Sequence, residues 1–157
     1  FKVPGFETPA AVLVGVIDAP PADAWKLIEH CTEYKKYMPR IAESDELSNE
    51  GGVIRCRTKL DSPWPVDDMV GITQAKHTLT ENRWVREWRM ESGDYKYIVG
   101  GWTLVPFDAS GQRTLTVYFI HSEPKAGIPG PLREMAQKSS LPDVLRALRK
   151  EVAKRSK

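Results

Sequence analysis

Histidine, cysteine and any excess of one charge are scarce in this chain, and each shortage removes a class of function. Three histidines, at positions 30, 77 and 121, stand among 157 residues, and no two of them sit at metal-ligand spacing. The two cysteines, Cys31 and Cys56, fall in different expected elements, with no CxxC between them. They are expected as buried free thiols rather than as a disulfide. Twenty-three basic residues face 21 acidic ones, for a formal net charge of +2, so no basic face of the kind that binds nucleic acid is implied. No apolar run approaches the roughly 20 residues that span a bilayer. The chain also lacks a phosphate-cradling glycine loop, a nucleophile elbow, a Ser–His–Asp order and a close pair of carboxylates. No catalytic residue, metal or cofactor is therefore expected.

What is present suits one soluble globular domain, residues 1–157, large enough for a core without staples. An apolar share of 41% against a charged share of 28% separates it from disordered chains. The sequence opens on Phe1, as it would after loss of a signal peptide or in a trimmed chain. The compartment stays open between cytoplasm and periplasm.

The longest pattern lies at the C-terminus. Gly130-Pro131 signals a helix start, because the fixed φ of proline suits a first turn where its missing N–H costs nothing. Apolar residues follow at Leu132, Met135, Ala136, Val144, Leu145, Leu148 and Val152, the three-and-four spacing of one buried face. Pro142 is expected to kink this helix. A lid over residues 128–155 results, preceded by a loop of sequence PKAGIPG.

Upstream the period is different. Residues 10–17 read as a β-rich strand, and Pro21-Ala-Asp23 starts a helix carrying Ala24, Trp25, Leu27 and Ile28 on one stripe. A second helical turn bears Tyr34, Tyr37 and Met38 and stops before Pro39. After Gly51-Gly52 alternation takes over. Ile54, Cys56, Thr58 and Leu60 form one face of residues 53–60; Trp84, Arg86, Trp88 and Met90 form one face of residues 83–90. Residues 68–76 and 95–105 read as further strands, the latter holding Gly100-Gly101, expected as a bulge or bend. In residues 113–121 the inward face is taken as Leu115, Val117, Phe119 and His121. Sequential strands with short turns make an antiparallel meander whose apolar face needs a cover. Only the terminal helix is long enough.

The stretches that carry a resemblance are IDAPPADAWKLIEHCTEYKKYMPRI, PWPVDDM, GGWTLVP and AGIPGPLREMAQKSSLPDVLRALRK. They resemble, in this order, the helix-grip superfamily of START lipid-transfer domains, polyketide cyclases and dehydratases, coenzyme Q-binding proteins and birch-pollen-allergen-like proteins. The likeness covers residues 12–152 and is nearest in look to bacterial START-type domains. One departure stands out: where START domains run from the PWP loop into Arg-Asp, this chain has Asp67-Asp68-Met69. The resemblance implies an α+β helix-grip fold in the order β-α-α-β-β-β-β-β-β-α, a curved antiparallel sheet round a long C-terminal helix with an internal cavity. It further implies binding, and transport, of a lipid, sterol or quinone-like molecule, with transient membrane contact at the rim through Trp64. The alternatives are a polyketide cyclase or dehydratase using His121 or a tyrosine, and a quinone-binding accessory protein.

The expected ligand-binding residues are Cys56, Arg86, Trp88, Trp102, Leu104, Phe119 and His121 from the sheet, with Leu132, Met135 and Ala136 from the helix. Arg86 carries two readings. If it follows its tryptophan neighbours inward, its charge needs a carboxylate or the polar head of a ligand; otherwise strand twist delivers it to solvent. His121 also carries two: a hydrogen-bonding group inside the pocket, or a strand-end imidazole bonded to nearby backbone. His30 and His77 are both expected in solvent, at a helix end and a strand end.

Overall fold

In the computed structural model residues 1–157 are placed, and side chains are described for all but Glu134 and residues 136–139. Seven strands form one antiparallel sheet: β1 Ala11–Ile17, β2 Ile41–Glu50, β3 Val53–Leu60, β4 Met69–Thr80, β5 Arg83–Gly93, β6 Tyr95–Pro106 and β7 Thr114–Pro124. Their spatial order is β1-β7-β6-β5-β4-β3-β2. Six strands are a meander, and β1 joins beside the last of them. The helices are α1 Pro21–Ile28, a short 3-10 turn at Cys31–Glu33 running into α2 Tyr34–Tyr37, and α3 Gly130–Arg155.

Local chemistry sets these boundaries. Pro21 opens α1 with Asp23 in its first turn, where an acidic group favours the helix dipole. The far end of α1 is finished by two phenols: Tyr34 Oη donates to the Ile28 carbonyl at 2.7 Å and Tyr37 Oη to the Leu27 carbonyl at 2.5 Å. These bonds fold α2 back onto α1. Gly51 and Gly52 hold φ of 58° and 74°, which a two-residue hairpin loop with both centres left-handed requires. Strand β2 has a largely polar sequence, IAESDELSNE, and no alternation marked it out.

The main core gathers Ile17, Trp25, Leu27, Ile28, Trp102 and Leu104 with Val144, Leu145, Leu148 and Val152. It therefore lies under the C-terminal half of α3. A Cβ at Gly15 would reach Leu145 at 2.8 Å and Arg149 at 3.0 Å, so the missing side chain lets α3 sit close on β1. The sheet curls through register shifts at Ile41/Glu43, Glu46/Ser48, Ile72/Thr73 and Tyr95/Tyr97. Gly100-Gly101 pairs in continuous register with Ile120 and Phe119, so the bulge expected there is absent. Gly100 answers a different need: a Cβ on it would fall inside the indole of Trp88.

Two further expectations are overturned. Cys31 and Cys56 form a disulfide, with Cα atoms 6.3 Å apart, not two free thiols. The 3-10 turn carries Cys31 onto β3, a proximity that a separation of 25 residues does not reveal. His77 lies inside β4, which runs on to Thr80. It is half-buried and meets the Trp25 ring edge-on, with centroids 4.9 Å apart.

Candidate ligand cavity

Between the sheet and the N-terminal half of α3 lies a cavity of about 340 Å³, within the range of small-molecule sites. Alternation decides which strand residues reach it. Thr58 and Leu60 line it from β3, Met69 and Thr73 from β4, Arg86 and Trp88 from β5. Tyr95, Ile98 and Trp102 follow from β6, and Tyr118, Ile120 and Ser122 from β7. Cys31 and Tyr34 close one end, and Leu132, Ser140, Leu141 and Val144 of α3 form the roof. Trp88 packs against all three apolar clusters of the described residues and so serves as their common wall. At the other end Met38 to Ile41, Asp61 to Pro63, Pro124 and Ile128 make a rim. Trp64, joined to Pro65 by a cis peptide, projects beside that rim and is 90% exposed.

Among the residues expected at the site, Cys56, Arg86, Trp88, Trp102 and Leu132 line the cavity. The others do not. Leu104 is fully buried in the main core. Phe119 pairs with the half-exposed Val12 on the outer face of the sheet. Met135 is 56% exposed; on an ideal helix it lies roughly 125° round from the Val144–Val152 stripe. Ala136 lies outside the described residues. Leu141, left off the stripe, takes a place on the roof.

The inward face of β7 is thus Thr114, Thr116, Tyr118, Ile120 and Ser122, the opposite parity to the one expected. Both faces of RTLTVYFIH are apolar enough to be inward, and the buried threonines disguise the true one. Thr114 Oγ1 is satisfied by the Ala19 carbonyl at 2.7 Å. His121 is buried on the outer face under the N-terminal segment. Its Nε2 donates to the Thr8 carbonyl at 3.0 Å, and its ring meets Phe6 and Tyr97 at 4.6 and 5.2 Å. It is the backbone-bonded histidine of the two readings.

Arg86 turns inward and is 2% exposed. Its Nη1 donates to the Glu29 carbonyl at 2.9 Å and to Nε2 of His77 at 2.7 Å; its Nη2 donates to Cys56 Sγ at 3.3 Å. Among the described residues no carboxylate pairs with it, and its buried Nε has no partner. Burial, then the Arg86 charge, then that of His30 hold His77 down at about 4, against an opposing pull from Glu46. A neutral His77 is what a guanidinium donor needs as acceptor. Burial also pushes the Tyr34 phenol upward against a smaller pull from Arg86, and burial pushes Tyr118 upward too. Both phenols are held protonated at neutral pH. His30, by contrast, is exposed and bonded to Glu46 at 3.1 Å. Among the described residues no three His, Cys, Asp or Glu side chains gather as a metal site would need, and no helix is long and apolar enough to cross a membrane.

A curved antiparallel sheet gripping a C-terminal helix over an apolar cavity defines a helix-grip protein of the START/polyketide cyclase superfamily. The chain belongs to the family described as polyketide cyclase / dehydrase and lipid transport, which matches residues 17–149. Solved structures share the fold. A STAR-related lipid transfer protein fragment from Xanthomonas axonopodis superposes with a TM-score of 0.83 at 20% identity, over 97% of this chain and 90% of that one. The human StAR-related lipid transfer protein 5 gives 0.81 at 12% identity, over 98% and 81%. An aromatase/cyclase from Streptomyces sp. R1128 gives 0.76 at 18%, over 94% and 95%. A search of curated proteins finds no match.

Proposed function

We propose that this protein binds a lipid or other hydrophobic small molecule in the cavity and carries it between membranes. The cavity itself carries the reading. It is walled by Trp88, Trp102, Ile98, Ile120 and Met69, and apolar surface outweighs the polar groups that interrupt it, Arg40, Asp61, Arg86 and Arg133 among them. Affinity follows from apolar burial, roughly 25 cal/mol per Å² before ordering costs. Residues 1–157 act as one unit, with 1–9 as a strap over the outer face and 128–155 as the lid. Loading takes place at the rim, where the 124–130 loop and the Pro-Trp-Pro loop part from α3.

A cyclase or dehydratase reading is supported by the likeness to an aromatase/cyclase, but the groups expected to serve it as acid–base are not poised for that role. His121 is outside the cavity, and Tyr34 and Tyr118 are held as protonated phenols. The test is a vesicle-to-vesicle transfer assay with fluorescent acyl, sterol and quinone cargoes, run beside a binding titration. Binding with accelerated transfer supports a carrier. Binding without acceleration leaves a ligand-holding module and removes the transport step.

A further inference from the structure

We infer that the cavity selects a hydrophobic molecule ending in a carboxylate, and that Arg86 is the residue that receives it. This rests on the reading of the cavity as a ligand site and names the chemistry of the head group.

A guanidinium carries five N–H donors and one permanent charge. In Arg86 three donors are committed, to the Glu29 carbonyl, His77 Nε2 and Cys56 Sγ. None of these acceptors carries charge: one is a carbonyl, one a neutral imidazole and one a disulfide sulfur, itself a weak acceptor. The Nε–H and the second N–H of Nη2 are left over, and Nε is buried without a partner. Burying a cation with no anion is among the costliest arrangements in a protein interior. Arg86 lines the cavity, and among the described residues none supplies the missing charge, which leaves a ligand positioned to do so.

The number and geometry of the free donors select the anion. Two N–H groups on one guanidinium suit the two oxygens of a carboxylate, the fork-to-fork pairing that makes such bonds short and strong. A phosphate brings nearly twice the charge, and among the described residues the other cations of the lining, Arg40 and Arg133, sit at the rim beside Ile41 and Ile128. Near Arg86, His77 is neutral, and Tyr34 spends its hydroxyl on the Ile28 carbonyl. Trp88 and Tyr118 flank the same region, so the pair forms beside apolar walls, where water competes least. Three neutral hydrogen bonds fix the guanidinium before the ligand arrives, which lowers the ordering cost of binding. The surroundings of Arg86 are thus those of a preformed oxyanion seat inside an apolar cavity.

The test changes the ligand first and the protein second. Hexadecanoate, 1-hexadecanol and methyl hexadecanoate are titrated into the wild-type chain by calorimetry at neutral pH, beside a ring pair, anthracene-9-carboxylate and 9-anthracenemethanol. A charge-assisted bidentate contact predicts roughly 10- to 100-fold tighter binding of the carboxylate than of its neutral counterpart on whichever scaffold fits. Arg86→Met should erase that preference while the neutral ligands keep their affinity; Arg86→Lys should retain only part of it. If Arg86→Met does not fold, the wild-type comparison still decides. Equal binding of acid and alcohol overturns the carboxylate assignment and leaves the hydrophobic-ligand reading standing. Failure of every probe, neutral ones included, overturns both.

Discussion

Nη1 of Arg86 lies 2.7 Å from Nε2 of His77, across the β4–β5 pair and directly beneath the cavity. A cation donating to an imidazole works only while that imidazole is unprotonated. In the unfolded chain His77 takes its proton near the ordinary 6.5; in the folded protein it does so only at about 4. The unfolded state therefore binds the extra proton first as pH falls. The His77 contribution to stability is intact above 6.5 and is lost as pH drops from there towards 4. Burial contributes most to this value, followed by the charges of Arg86 and His30, with Glu46 pulling the other way. An imidazole titration by NMR should place His77 near 4, and His77→Gln should flatten the acid limb of the stability curve. A midpoint near 6.5 would contradict both the burial of His77 and its contact with Arg86.

Gly100 and Trp88 make a second pair. A methyl group at Gly100 would overlap the Trp88 indole, and that ring is the shared wall of three apolar clusters. Gly100→Ala should cost about 1–3 kcal/mol, as overpacking does, and should weaken ligand binding because the wall must move. Chemical denaturation and a binding titration on the same variant check both. Full stability with unchanged affinity would mean that Trp88 has another place to go.

The Cys31–Cys56 bridge closes a separation of 25 residues, for which the chain-entropy estimate is about 3.5 kcal/mol. Cys31→Ala with Cys56→Ala should lower the melting temperature by about 10 °C for a chain of this size. Thiol titration of the unreduced wild type should find no free sulfhydryl. Two titratable thiols in oxidised protein would contradict the bridge.

Trp64 contributes almost nothing to the folded state, being 90% exposed. If its indole inserts at a membrane surface, Trp64→Ala should leave the melting temperature within about 1 °C yet slow vesicle-to-vesicle transfer several-fold. An unchanged transfer rate would remove the membrane contact from the account.

How far the sequence shows all this depends on how distinct the two faces of each element are. Strands β3 and β5 largely alternate charged with apolar side chains, so Ile54 and Cys56 on one, and Trp88 on the other, can be placed inward by parity, whereas Arg86, a charge on the apolar parity, stays open between the interior and solvent. Strand β7 has apolar residues at both parities, and its buried face carries Thr114 and Thr116; there parity favoured Phe119 and His121, the outer set. In α3 the spacing was carried from Leu132 to Val144 across a polar stretch, which put Met135 on the wrong side and omitted Leu141. His77 does not show as the partner of Arg86 because the strand read over 68–76 has no distinct faces and stops one residue short of it, whereas β4 runs on to Thr80. The disulfide was missed because contact between a helical turn and a strand is a tertiary fact. What could be read best was the order of elements, fixed by the proline-led helix starts, the Gly51-Gly52 turn and the long terminal helix.

The central claim is that the space between sheet and α3 receives a hydrophobic molecule, and the five tryptophans report on it directly. Their indole N–H signals can be followed by NMR while the hexadecyl and anthracene probes are added. Trp88 and Trp102 line the cavity, whereas Trp64 projects into solvent outside it. Saturable shifts at Trp88 and Trp102, complete at one equivalent and with Trp64 unmoved, are the predicted result. Shifts confined to Trp64, or none at Trp88 and Trp102 with any probe, would contradict the account.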